Sequence, residues 1–182
     1  MIMRILVGII IIVVAAFGYQ VFKDRDIPLE DLKAKYSYPQ SQFIEVDDIK
    51  FHVLDEGNSD GEVVVLIHGH FGSLHMYDGW VDILKKDYRV VRFDITSHGL
   101  TGPDPTGDYT RERTNYLAEE LFDKLGLEKF HICGTSTGGS VALYYASKHP
   151  EKVLSLTLQC PGSMAPRMAK TKEDAGLPLP FS

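Results

Sequence analysis

The apolar positions of this chain fall into three regimes. Residues 5–22 (ILVGIIIIVVAAFGYQVF) form one uncharged run with no polar face, which predicts a helix apolar on every side. Eighteen residues rising 1.5 Å each give about 27 Å, close to the ~30 Å hydrocarbon core of a bilayer. Residues 23–42 are charged and polar, with Pro28 and Pro39, and read as a linker. Beyond them, short apolar runs alternate with amphipathic stretches. Phe43–Val46 and Ile49–Leu54, split by Asp47-Asp48, read as a hairpin. Glu62–Ile67 (EVVVLI) is continuously apolar and β-branched after its first residue, the pattern of a strand buried on both faces. Tyr88–Phe93 is a second such strand, with a helix over Met76–Lys86 between them. Thr110 caps a helix that runs to Leu125 and ends at Gly126, with Leu117, Leu121, Phe122 and Leu125 on one face. Lys129–Cys133 is a short strand, Thr137–Lys148 a helix stopped at Pro150, and Lys152–Leu158 the last strand. This alternation predicts an α/β fold with a parallel sheet and crossover helices, spanning residues 43–162. Residues 163–182 read as the start of a cap or a tail.

Composition narrows the class without changing that picture. The 182 residues are 24% charged and 44% hydrophobic, which excludes collagen-like, coiled-coil and wholly disordered chains. The net charge of −6 argues against a nucleic-acid partner. Two cysteines, Cys133 and Cys160, cannot make a disulfide framework or a Cys-rich zinc site; both are expected as small buried hydrophobes near neighbouring strand ends. The first 22 residues are expected to be a signal anchor that spans the membrane once and contacts bilayer lipid. A cleaved signal peptide, with Ala16 and Gly18 before the cut, is the alternative. Lys23, Arg25, Lys33 and Lys35 outnumber Arg4, which by positive-inside counting keeps the following domain cytoplasmic. A short N-terminal anchor delivers it outside, and the extracytoplasmic side is the reading taken.

The chemistry is concentrated at Gly134-Thr-Ser136-Thr137-Gly138-Gly139, which fits G-x-S-x-G between a strand and a helix. In that motif the chain turns so sharply that flanking side chains would collide, so Gly134 and Gly138 make room while Ser136 projects from the strand end. The N–H of Thr137, at a helix N-terminus, is placed to face an oxyanion. Composition alone gives about 0.08 chance matches to such a pattern, so the context decides. A second motif, His68-Gly69-His70-Phe71-Gly72-Ser73, follows the buried strand EVVVLI. Its loop can offer the N–H of His70, or next that of Phe71, to the same oxyanion, with His68 bonded to loop backbone. The alternative for His68, His70 and His75 is a metal site. A third segment, Asp94-Ile-Thr-Ser-His98-Gly99, reads as a polar turn in which Asp94 orders neighbouring loops.

Together these segments, in this order over residues 43–162, resemble the α/β-hydrolase superfamily with a serine nucleophile. The resemblance implies a doubly wound, mostly parallel sheet, a Ser-His-acid triad, no cofactor and no metal. It implies attack by Ser136 on the carbonyl carbon of a small-molecule acyl substrate. Ser97 departs from it, standing where the family often has Gly. In the family the triad acid and histidine follow further strands after Lys152–Leu158. The chain is therefore expected to be the N-terminal part of such a hydrolase, truncated after about the sixth strand. His70, His75 and His98 are the loop histidines on the catalytic side. Three functions are carried forward: ester or acyl hydrolysis through Ser136, C–C bond hydrolysis at the same site, and a non-catalytic membrane-tethered binding module.

Overall fold

The structure, a computed structural model, describes residues 2–23 and 26–161. The cap or tail expected at 163–182 lies outside the described residues. The chain divides into two units, Met1–Tyr36 and Ser37–Ser182.

In the first unit, helix α1 (Ile2–Lys23) contains an 18-residue apolar window, Leu6–Lys23, none of it buried. It is the one helix among the described residues long and apolar enough to cross a membrane. The expected linker holds a second helix, α2 (Leu29–Tyr36, LEDLKAKY). Its local chemistry explains it: Pro28 precedes it, Glu30 and Asp31 occupy the first turn and Lys33 and Lys35 the last, matching the helix dipole. Lys33 also donates to Glu30 at 2.8 Å.

The second unit is a six-stranded sheet. Its strands are β1 (Gln42–Val46), β2 (Ile49–Gly57), β3 (Val63–Ile67), β4 (Arg89–Phe93), β5 (Phe130–Thr135) and β6 (Val153–Gln159), in spatial order β1-β2-β4-β3-β5-β6. β4, β3, β5 and β6 are parallel neighbours, whereas the β1–β2 hairpin adds antiparallel pairing at one edge. The sheet is therefore mixed rather than wholly parallel. The hairpin turns on Asp47 and Asp48, both at positive φ (47° and 63°).

β3 is buried on both faces, as its β-branched run predicts. Val65 and Ile67 join a core with Phe93, Leu121, Phe122, Phe130 and Tyr145, while Val64 and Leu66 join Tyr77, Val81, Val90 and Cys133 on the other side. Helices α4 (Arg111–Lys124) and α5 (Thr137–Lys148) supply residues to the first core, and α3 (Asp78–Leu84) to the second. Thr110 caps α4 by accepting the Arg113 N–H, and Gly126 (φ 65°) follows its end. The helix expected over Met76–Lys86 is shorter and starts with a 3-10 turn, Leu74–Tyr77. The cause is local: the Asp94 carboxylate takes the Leu74 N–H (2.7 Å) and Arg92 takes its carbonyl (2.9 Å), fixing the approach to the helix.

The winding creates a crevice. From β3 the chain crosses to β4 on one side, then through α4 to β5 on the other, so the strand order reverses at β3. The C-terminal ends of β3 and β5 lie side by side there, the topological position where open α/β sheets bind ligands.

Phe122 meets Phe93, Phe130 and Tyr145 edge-on, with ring centroids 5.0–5.8 Å apart, and is fully buried. Phe122→Ala should destabilise the protein by about 3–5 kcal/mol, whereas Leu154→Ala, on the exposed edge strand β6, should change stability by less than about 0.5 kcal/mol. Urea unfolding of the two variants checks the contrast.

Candidate active site

At the end of β5 the backbone reverses into α5 through Ser136, at φ 49° and ψ −113°. A positive φ at a non-glycine residue is strained and persists only where the surroundings impose it. The imposition is visible in what surrounds the two glycines. A Cβ on Gly134 would lie 2.2 Å from the Gly138 carbonyl oxygen, and one on Gly138 2.2 Å from that of Ile67. Thus α5 begins in direct backbone contact with both β5 and the end of β3. Ser136 donates its N–H to the Gln159 carbonyl of β6 (3.0 Å), and its own carbonyl accepts from Ser140 in the first turn of α5 (3.1 Å). The side chain is half-buried at the head of the helix.

The loop after β3 closes on the same point. A Cβ on Gly69 would come within 3.1 Å of Ser136 Cβ. Gly69 to Gly72 forms a tight turn, with the Gly72 N–H bonded to the Gly69 carbonyl (3.0 Å) and Phe71 at φ 60°, the positive φ that a type II turn requires at its third residue. Among the described residues, the N–H groups of His70 and Phe71 have no acceptor. That of Thr137, first in α5, is one of the four donors that a helix leaves unpaired at its start. A cavity of about 570 Å³ opens beside them, lined in part by His70, Phe71, Ile95, His98, Leu117 and Thr137.

His68 sits behind the turn, fully buried. Its Nδ1–H donates to the Gly69 carbonyl (2.8 Å) and its Nε2 accepts the Ile95 N–H (3.0 Å). This fixes a neutral tautomer, and burial holds its pKa below the ordinary histidine value. The ring is a strut, as the sequence suggests, and with both nitrogens engaged it has none to give a metal. Among the described residues no cluster of His, Cys, Asp or Glu is arranged to hold one.

Asp94 is the second strut. One carboxylate oxygen takes the Leu74 N–H (2.7 Å), the other the Leu100 N–H and the His52 ring (2.8 Å each). Burial alone would raise its pKa, but the bonds from His52, Leu100 and Leu74 outweigh it and leave the carboxyl below its usual range. Ser97 lies at φ 62° in the adjoining turn, a conformation in which the family's usual glycine is at no disadvantage.

Sequence reasoning missed a latch behind the elbow. The Tyr77 hydroxyl lies 3.0 Å from the Ile67 carbonyl and 2.9 Å from Thr135 Oγ1, which is 2.7 Å from the Gln159 side-chain amide. Thr135 donates its hydroxyl proton to the Gln159 side-chain carbonyl, and the Tyr77 hydroxyl, which donates to the Ile67 carbonyl, closes on Thr135 Oγ1. The contacts join Gln159, Thr135, Tyr77 and the Ile67 carbonyl, tying β6, β5 and β3 together. Burial pushes the Tyr77 phenol up to about 12, so the latch stays protonated. Its residues are 24 and 58 positions apart, and no local spacing signals them.

Among the described residues no histidine bonds Ser136 Oγ. His75 lies 2.9 Å from the Tyr38 hydroxyl, His98 pairs with His70 (3.2 Å), and His149 reaches Glu119 (3.2 Å). A second Ser–His–carboxylate run exists at Ser155, His131 and Glu62 (2.7 and 3.2 Å). His131 and Ser155 are register partners within β5 and β6, not residues at the head of a helix. Cys133 is buried as expected, and burial raises its thiol pKa. Cys160 is not buried: it is exposed just beyond β6, at φ 43°.

Residues 62–180 match the family model of the alpha/beta hydrolase fold. The chain belongs to that family. Monoacylglycerol lipase abhd6-A of Xenopus laevis is 33% identical over 135 residues, 72% of this chain and 40% of that protein. The dihydrolipoyllysine-residue acetyltransferase component of the acetoin cleaving system of Cupriavidus necator is 32% identical over 139 residues, 75% of this chain and 36% of the relative. The crystal structure of a membrane phospholipase A, a bacterial virulence factor, superposes with a TM-score of 0.63 at 25% identity, over 85% of this chain and 51% of that one. The alpha/beta hydrolase chain described here thus spans about a third to a half of the length of these relatives.

Two predictions follow from the struts and the crowding. Gly138→Ala has no space for its methyl and should cost at least about 2 kcal/mol, read as a lower urea midpoint. His68 is held neutral, so the unfolded chain binds the extra proton first, and stability should fall as pH drops below about 6.5. Asp94, with its folded pKa depressed, adds a second loss as pH falls below about 4 and through the folded value. Unfolding free energies measured from pH 8 to pH 3 should show both windows, and His68→Gln should remove the upper one.

Proposed function

We propose that this chain carries the nucleophile and the oxyanion hole of a membrane-anchored serine hydrolase acting on carboxylic esters or related acyl substrates. The observation that carries the reading is the backbone of Ser136, φ 49° and ψ −113°, at the head of α5 and next to the unpaired N–H groups. Ser136 Oγ attacks the carbonyl carbon as the π bond moves to oxygen. The resulting oxyanion accepts from the Thr137 N–H and from that of His70 or Phe71. Collapse expels the alcohol and leaves an acyl-Ser136 ester, which water hydrolyses. The hydroxyl proton needs a base. No histidine among the described residues bonds Ser136, so the base and its carboxylate partner are assigned to chain outside them, as the family resemblance implies.

Gly134 and Gly138 serve this role by permitting the bend. The mechanism calls for no cofactor. Helix α1 is assigned as the single bilayer anchor, with the catalytic unit on the extracytoplasmic side. Support for lipid-like acyl substrates comes from the apolar part of the cavity wall and from relatives that include a monoacylglycerol lipase and a membrane phospholipase A.

The test is hydrolysis of p-nitrophenyl butyrate by the protein expressed from its whole open reading frame. Ser136→Ala should lower kcat at least about 10³-fold. An unchanged rate, or a wild-type rate no higher than the blank, overturns the proposal and favours a binding module.

A further inference from the structure

The cavity beside Ser136 has one polar device on its wall that the oxyanion reading leaves unused. His98 Nε2 and His70 Nδ1 lie 3.2 Å apart, and His98 Nδ1 lies 2.9 Å from the Thr96 carbonyl. A carbonyl oxygen only accepts, so His98 Nδ1 carries a proton. When both rings are uncharged the pair holds two N–H protons. One is committed to Thr96 and the other must bridge the two rings, donated by His70 Nδ1 to His98 Nε2. His70 Nε2 is then left with a bare lone pair.

Each ring of the pair has a further aromatic neighbour. The His98 ring stands against buried His68 (centroids 5.5 Å), and its backbone N–H is bonded to the Ile95 carbonyl (3.0 Å). The His70 ring is flanked by Phe71 (4.2 Å) and by His98 (5.0 Å). Phe71 is itself held at φ 60° with 94% of its surface exposed. Asp108, also in the cavity wall, presents a second acceptor, kept ionised by the Thr110 hydroxyl and N–H that depress its pKa. The remaining wall includes Ile95 and Leu117. Two acceptors in a partly apolar cavity complement a ligand that brings a hydrogen-bond donor.

We propose that His70, oriented by His98, contacts the substrate through Nε2 and selects esters whose alcohol portion carries a free hydroxyl over alkyl esters of the same size. His98 is the positioning residue, since it touches His70. The assignment rests on the cavity being the acyl-substrate site proposed above, and its test needs no turnover.

The experiment is a long-range ¹H–¹⁵N correlation spectrum of the histidine rings in the Ser136→Ala protein at about pH 8, above the ordinary histidine pKa. The probes are 2-hydroxyethyl butyrate and propyl butyrate, which share acyl chain and heavy-atom count. The expected result is a His70 Nε2 without a proton, whose ¹⁵N resonance moves toward the hydrogen-bonded position with the hydroxyethyl ester and stays in place with the propyl ester. His98→Phe should weaken that response at least about tenfold in ester concentration, by the affinity that one hydrogen bond supplies. A proton on His70 Nε2, or equal responses to the two esters, overturns the proposal. If the spectral pattern holds while the active-serine protein hydrolyses no ester, the nucleophile assignment fails and the binding assignment stands.

Discussion

The structure turns on one steric fact: where α5 starts, three pieces of backbone come too close together for any side chain to stand between them. Gly134 faces Gly138, and Gly138 faces the last carbonyls of β3. That crowding forces Ser136 into a positive φ and brings the β3 loop against it. The strain is of the order of 1–3 kcal/mol. It is sustained by what lies behind: a β3 strand buried on both faces, a latch from Tyr77 through Thr135 to Gln159, and the Ser136 N–H bonded to β6. The sheet core and the candidate site are one mechanical object.

The two loops that complete the site are held by buried polar groups as well as by the packing of Leu74, Ile95 and Leu100. His68 stitches the β3 loop to Ile95, and Asp94 gathers Leu74, Leu100 and His52. In the interior such groups are stabilising only when every partner is present, because a half-satisfied network leaves desolvated donors behind. The same economy leaves the N–H groups of His70, Phe71 and Thr137 available at the cavity.

Much of this architecture is legible in the sequence. EVVVLI has the pattern of a strand covered on both sides, Thr110 and Gly126 bracket α4, and Gly134 and Gly138 announce a bend around Ser136. What stayed hidden has physical reasons. α2 is short and polar, so no apolar period marks it, although its charge order does. The 3-10 turn at Leu74 is set by Asp94, twenty residues downstream. Tyr77 reads as one more helix residue until its hydroxyl partners arrive from β3 and β5. Cys160 was expected to be a small buried hydrophobe like Cys133, but it lies just beyond β6, the edge strand of the sheet, and is exposed. The pairing of His70 with His98 joins two loops 28 residues apart.

Membership of the alpha/beta hydrolase fold family fixes the frame, and the chain described spans about a third to a half of the relatives' length. Within that span lie the topological switch point, the bend and the donors. Whether Ser136, at the bend, is the nucleophile is read from peptide mass spectrometry after exposure of the protein to a fluorophosphonate. A single covalent adduct is expected on the peptide bearing Gly134–Gly139, located at Ser136. An adduct at Ser155 or another serine, with Ser136 unmodified, would contradict it.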